Sequence, residues 1–125
     1  GFAAGDYIDF IVYNLFFRSP RKLGGTFADV GSSNGVHGDN TLFFAKEMGW
    51  KGLLVEGSAC AACILPKNRM ESTIVRRGIG KKEGTWRFDL NLQRTFCTEL
   101  VKVPECAQQQ QELSQTVCVS NVSTI

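Results

Sequence analysis

The segment from Thr26 to Glu56 constrains this chain most, because it reads as strand, glycine loop, helix and strand again without interruption. Thr26-Phe27-Ala28-Asp29-Val30 is a short apolar run rich in strand formers, and Gly31-Ser32-Ser33-Asn34-Gly35 behind it is small, polar and tolerant of unusual dihedrals. Asp39 or Asn40 can cap a helix running through Thr41 to Met48. Gly49 fits the left-handed position just past the last turn, with Trp50 folding back on Phe44 and Ala45. Lys51-Gly52 then turns the chain into a second buried strand, Leu53-Leu54-Val55-Glu56, which ends in a carboxylate.

On either side of this unit the alternation continues, so the expected class is α/β with a parallel sheet. Tyr7 to Phe17 reads as a first helix, stopped by Ser19-Pro20 and the Gly24-Gly25 turn. A further helix runs from about Ser58 to Asn68, with Pro66 expected to kink or end it early. Ser72 to Gly78 is a third strand, and Gly84 to Leu90 an extra strand paired to it across the Lys81 to Gly84 turn. Thr116 to Val119 reads as one last strand, and Gln108 to Gln111 as an exposed polar tract. The division is residues 1–23 as N-terminal helix and linker, then 24–125 as one partial α/β domain.

Composition narrows the function. Apolar residues make up 43% of the 125, enough for the core of one domain. The net charge is +2, and the basic residues fall in separate clusters (Arg18 to Lys22, Arg76–Arg77, Lys81–Lys82), which gives no electrostatic case for nucleic acid. No apolar run approaches the ~20 residues that a membrane-spanning helix needs; Tyr7 to Phe17, interrupted by Asp9 and Asn14, reads as a helix lying on a core or a partner. A start at Gly1 without methionine reads as a processed, possibly organellar, product or a fragment, with any targeting segment already removed.

Five cysteines cannot all pair within one chain. Cys60 and Cys63 form a Cys-x-x-Cys, but there is no second such pair, the single histidine (His37) lies in another segment, and i and i+3 are plain neighbours on a helix. The expectation is small buried thiols, free and without metal. His37 reads as an exposed loop residue, and Asn121-Val122-Ser123 as a common glycosylation triplet that implies nothing alone.

The chemistry sits at the strand–loop–helix. A glycine loop lets backbone N–H groups approach a ligand, and the helix behind it presents its positive end. The dinucleotide spacing Gly-x-Gly-x-x-Gly is absent, since here the loop reads Gly31-x-x-x-Gly35. Asp29 puts a negative charge where a pyrophosphate would have to come, which disfavours NAD and favours a ligand carrying a cation, such as the amino group and sulfonium of S-adenosylmethionine. Glu56 ends the second strand where a carboxylate can accept from both hydroxyls of a ribose.

Gly25 to Gly35, Asn40-Thr41-Leu42-Phe43-Phe44, Gly49-Trp50-Lys51-Gly52-Leu53-Leu54-Val55-Glu56 and Lys67-Asn68-Arg69 together closely resemble the FkbM family of S-adenosylmethionine-dependent methyltransferases. The similarity runs from about Gly24 to Arg69 and continues loosely beyond. It implies a Rossmann-like class I methyltransferase fold, of which the first three parallel strands, flanking helices and a short extra strand are represented. It further implies that Asp29, Gly31 and Gly35 line the methionine end of the cofactor, with Ser32 in the same loop, Asn40 beside it, and Glu56 on the ribose. Gly35 is equally accounted for by loop geometry, and Asn40 by capping.

Three departures stand out. Ser32-Ser33-Asn34 lacks the acid that the family often carries in this loop, and Gly57-Ser58 replaces a proline-containing turn. The family's fourth parallel strand, with its Asp-x-Glu-Gly-like segment, is not represented. The expectations are therefore a methyltransferase-like domain of O-methylating ancestry, inactive alone, or a non-catalytic accessory subunit on a degenerate methyltransferase fold, or a module that holds the nucleoside without chemistry. The edge of Phe27 to Val30 or the face of the first helix is expected to be buried against another polypeptide or against protein missing from this sequence.

Overall fold

A computed structural model describes residues 1–87 and 116–120 of the chain. The glutamine tract 108–111, the Asn121 triplet and the distal part of the expected strand 84–90 lie outside the described residues.

The principal sheet is parallel and three-stranded, in the order β1 (Thr26–Val30), β2 (Lys51–Val55), β3 (Thr73–Val75). Two helices make its crossovers, α2 (Leu42–Met48) between β1 and β2 and α3 (Ala59–Asn68) between β2 and β3. Helix α1 (Ile8–Val12) precedes the sheet and runs directly into a π-helical turn, Tyr13–Phe17. The arrangement is compatible with part of a Rossmann-like open α/β sheet, and in open α/β sheets ligands settle beyond the carboxyl ends of the strands.

Local signals account for much of this. Gly49 closes α2 in the left-handed conformation, and the Trp50 N–H donates to the Phe44 carbonyl at 3.0 Å. The indole packs 4.9 Å from the Phe44 ring and donates its Nε1–H to the Lys22 carbonyl at 2.8 Å. Phe43, Phe44, Met48 and Trp50 form the buried core here, with Val12, Tyr13, Phe17 and Phe27 packed against it. The first helix is thus held by one face only.

Several expectations need correction. Thr41, not Asp39 or Asn40, occupies the cap position of α2; Asp39 acts one step earlier, its Oδ1 accepting from both the Thr41 N–H and hydroxyl at 2.8 Å. Pro66 does not end α3, which continues to Asn68, because a proline in the last turn forfeits only one backbone bond. The third strand stops at Val75, and Gly78–Ile79 (β4) belongs to a second sheet. Gly84–Arg87 (β5) does not pair with β3: it runs antiparallel to β6 (Thr116–Ser120), which also pairs parallel with β4. In strand β1, Thr26, Ala28 and Val30 are exposed while Phe27 and Asp29 are half-buried. Finally, Cys63 is disulfide-bonded, where a free thiol was expected.

Candidate functional site

The carboxyl ends of β1 and β2 carry the two acids the sequence singles out. The parallel register sets Asp29 beside Leu54 and Val30 beside Val55. Glu56 follows β2 directly, and its N–H donates to the Val75 carbonyl, so the backbone stays in the ladder through the acid. Its carboxylate is buried, 6% exposed, and clamps two turns together. Oε2 accepts from the Ser33 N–H at 2.6 Å and Oε1 from the Ser58 N–H at 2.8 Å. Ser58 in turn caps α3, its hydroxyl accepting from the Ala61 N–H.

Beyond β1 the loop folds back onto β2. The N–H groups of Gly31 and Ser32 both donate to the Val55 carbonyl, at 2.8 and 3.3 Å, and the Ser32 hydroxyl points to that same carbonyl at 3.4 Å. Gly31 has φ +85°, and the space where a Cβ would project is open to 4 Å. Ser33 also adopts a left-handed φ of +52°, a conformation that costs a residue with a side chain free energy. Its hydroxyl oxygen is buried without a hydrogen-bond partner among the described residues, as is Asp39 Oδ2.

Gly35 and Asn40 lie elsewhere. A Cβ on Gly35 would meet Arg69 Cγ at 2.5 Å and Leu65 Cδ1 at 2.6 Å, so the glycine permits the loop to press on α3. Asn40 is exposed beside the start of α2. The structure therefore brings Asp29, Gly31, Ser32 and Glu56 to one end of two strands, with Gly35 and Asn40 on the flank of the same loop.

What holds this loop is Arg69, a residue that sequence reasoning quoted but gave no role. Its side chain is wholly buried just beyond α3. Nη1 donates to Asp39 Oδ1 at 3.0 Å and to the Gly35 carbonyl at 3.3 Å, Nη2 to the Thr41 hydroxyl at 3.1 Å, and Nε to Glu71 at 2.5 Å. The guanidinium carbon also lies 5.5 Å from the Phe27 ring centre. Next to it, the Asn68 amide donates to the Asn34 carbonyl at 2.8 Å, and Asn34 Oδ1 accepts from the Val36 and His37 N–H groups. An arginine after a helix is no signal by itself; only the fold reveals that its partners converge from residues 35 to 41.

Burial pushes the Asp29 carboxyl above its ordinary value, with the Asp39 carboxylate adding to the effect, Arg69 opposing it and Glu56 reinforcing it. The site is thus rich in carboxylates around a single guanidinium, an environment that welcomes a cationic group and resists a phosphate. Among the described residues no cluster of three or more His, Cys, Asp or Glu side chains could hold a metal ion. Comparison of the chain with protein-family models, curated proteins and solved structures returns no match. The class that the fold itself defines is α/β, a three-stranded parallel sheet flanked by helices with two acids at the carboxyl ends of adjacent strands.

Proposed function

We propose that this chain is a methyltransferase-like domain that binds S-adenosylmethionine across Gly31 and Glu56. The observation that carries the reading is the open space at Gly31 lying between two acids, Asp29 and Glu56, at the tips of adjacent parallel strands. A nucleoside engages such a site through its ribose hydroxyls, which donate to a carboxylate; Glu56 accepts one bond on each oxygen, from Ser33 in the loop and from Ser58 before α3, and keeps acceptor capacity on both. The cationic amino group and sulfonium suit Asp29, and the unpartnered Ser33 hydroxyl adds a polar group at the loop. When bound, the cofactor supplies an electrophilic methyl group, and the ancestry suggested by the resemblance is transfer to an oxygen. In such a transfer the chain's part is to bind and orient.

Calorimetry with S-adenosylmethionine and its demethylated product tests this. Heat of binding is expected for both, and Glu56→Ala should weaken it by a few kcal/mol at most, roughly two charge-assisted hydrogen bonds. Folded protein giving no heat at millimolar ligand overturns the proposal.

A second reading, an accessory subunit that docks on a partner polypeptide, is favoured by β1. Among the described residues this strand pairs only with β2, and Val30 at its end is 64% exposed. Its other edge can accept a further strand. Strong amide protection across Thr26 to Val30 in a solution monomer overturns this reading.

A further inference from the structure

We infer that the outward face of the first helix docks on an anionic lipid surface. The helix from Ile8 to Phe17 packs by Val12, Tyr13 and Phe17 on the core of α2, and the face turned away is apolar. Ile8 and Ile11 are about half exposed, and Leu15 and Phe16 are 70% and 68% exposed. A helix covered on one side by its own protein ordinarily shows water a polar face. Asn14 within that stretch is half-buried, and its amide is engaged along the helix surface itself, donating to the Phe10 carbonyl at 2.8 Å and accepting from Arg18 at 3.0 Å. The acid of this helix, Asp9, is wholly buried, accepting from the N–H groups of Ala3, Ala4 and Phe10.

The choice of a lipid surface over a protein rests on charge. Exposed cations cluster where the helix ends: Arg18 in the next position, then Arg21 and Lys22. Arg18 bonds to Asn14 and Arg21 to the Glu47 carbonyl, and none of the three meets a carboxylate in an ion pair among the described residues. Of the exposed acids, Asp6 precedes the helix at its opposite end, and Glu47, whose backbone carbonyl accepts from Arg21, turns its carboxylate to the N-terminal ammonium of Gly1 at 3.1 Å. Isoleucine, leucine and phenylalanine side chains bordered by arginine and lysine form the pattern of a helix that lies in the headgroup plane. The apolar side chains enter the acyl boundary while the cations meet anionic headgroups. No helix among the described residues is long and apolar enough to cross a membrane, so the contact is in the plane of the surface.

Co-sedimentation of the full chain with phosphatidylcholine vesicles, with and without phosphatidylserine, tests this. Binding is expected only where phosphatidylserine is present, and should fall as salt is raised. Arg18→Gln with Lys22→Gln should weaken it on the order of tenfold. Leu15→Ser with Phe16→Ser should abolish it with little change in melting temperature, because these two side chains already lie mostly in solvent. Hydrogen exchange on the unmodified chain should show amides of residues 8–17 gaining protection on anionic vesicles, a readout that does not depend on any variant folding. Absence of vesicle binding by folded chain, or of that protection, overturns the inference. So does a soluble dimer that Leu15→Ser dissociates in the absence of vesicle binding, which would give the face to a second copy of the chain.

Discussion

Arg69 Nη1 lies 3.0 Å from Asp39 Oδ1, and both side chains are wholly excluded from solvent. Thirty positions apart in sequence, they join the end of α3 to the loop that leads into α2. Two desolvated charges seldom stabilise a fold by their mutual attraction alone, yet removing one leaves the other buried without compensation. Arg69 offsets this with further bonds to Gly35, Thr41 and Glu71, so each of its three nitrogens donates to an acceptor.

Arg69→Met is therefore expected to destabilise the chain by about 3–5 kcal/mol, and Arg69→Met with Asp39→Asn by less than the sum of the two single changes. Urea titration of the three variants measures both. Additive losses would show that the pair is not coupled.

The two loop glycines should respond differently to alanine. Gly35→Ala places a methyl group against Leu65 and Arg69 at a φ of +75°, and should cost roughly 2–4 kcal/mol. Gly31→Ala meets open space at φ +85° and should cost only about 1–2 kcal/mol. It should nevertheless weaken nucleoside binding, because its methyl group enters the space assigned to the ligand. Equal effects on stability, measured as urea midpoints, would contradict the packing described for Gly35.

Two carboxyls near Arg69 should drive stability in opposite directions with pH. Asp29 is held above 3.8 by burial first and then by Asp39, so its favourable contribution is complete below 3.8 and is lost as pH rises through the folded value. Asp29→Asn is expected to be more stable than the parent at neutral pH, with the advantage vanishing in acid. Burial also pushes Glu71 upward, but its hydrogen bond from Arg69, with the other nearby donors and charges, outweighs burial and holds it below 4.5. Its contribution is therefore present above 4.5 and lost as pH falls through the folded value. Glu71→Gln should be less stable at neutral pH and converge with the parent in acid. A pH series of urea midpoints for the two variants reads both signs.

The part of the architecture built from local chemistry is legible in the sequence. Strand, loop, helix, Gly49 stop and strand follow each other within residues 26–55, and each boundary is set by residues a few positions away. The second sheet was not legible, because β5 finds its partner in β6 across a long intervening stretch, while the nearer hairpin to β3 looked locally reasonable. The same holds for the site. Asp29 and Glu56 stand at strand ends that periodicity locates, whereas Arg69 draws its meaning from partners some thirty positions away.

The parallel register between β1 and β2 also acts as a ruler. Asp29 stands level with Leu54, and Glu56 comes two residues later, so the two acids fall on the same side of the sheet. Two residues of strand rise and one interstrand step separate their backbones by roughly 8 Å. A molecule that engages both acids must carry donor groups spaced to match, which a lone amine or a single sugar hydroxyl cannot do. That length is written into the hydrogen-bond ladder, so exchanging side chains along the strands can change how tightly a ligand is held while leaving its required span the same.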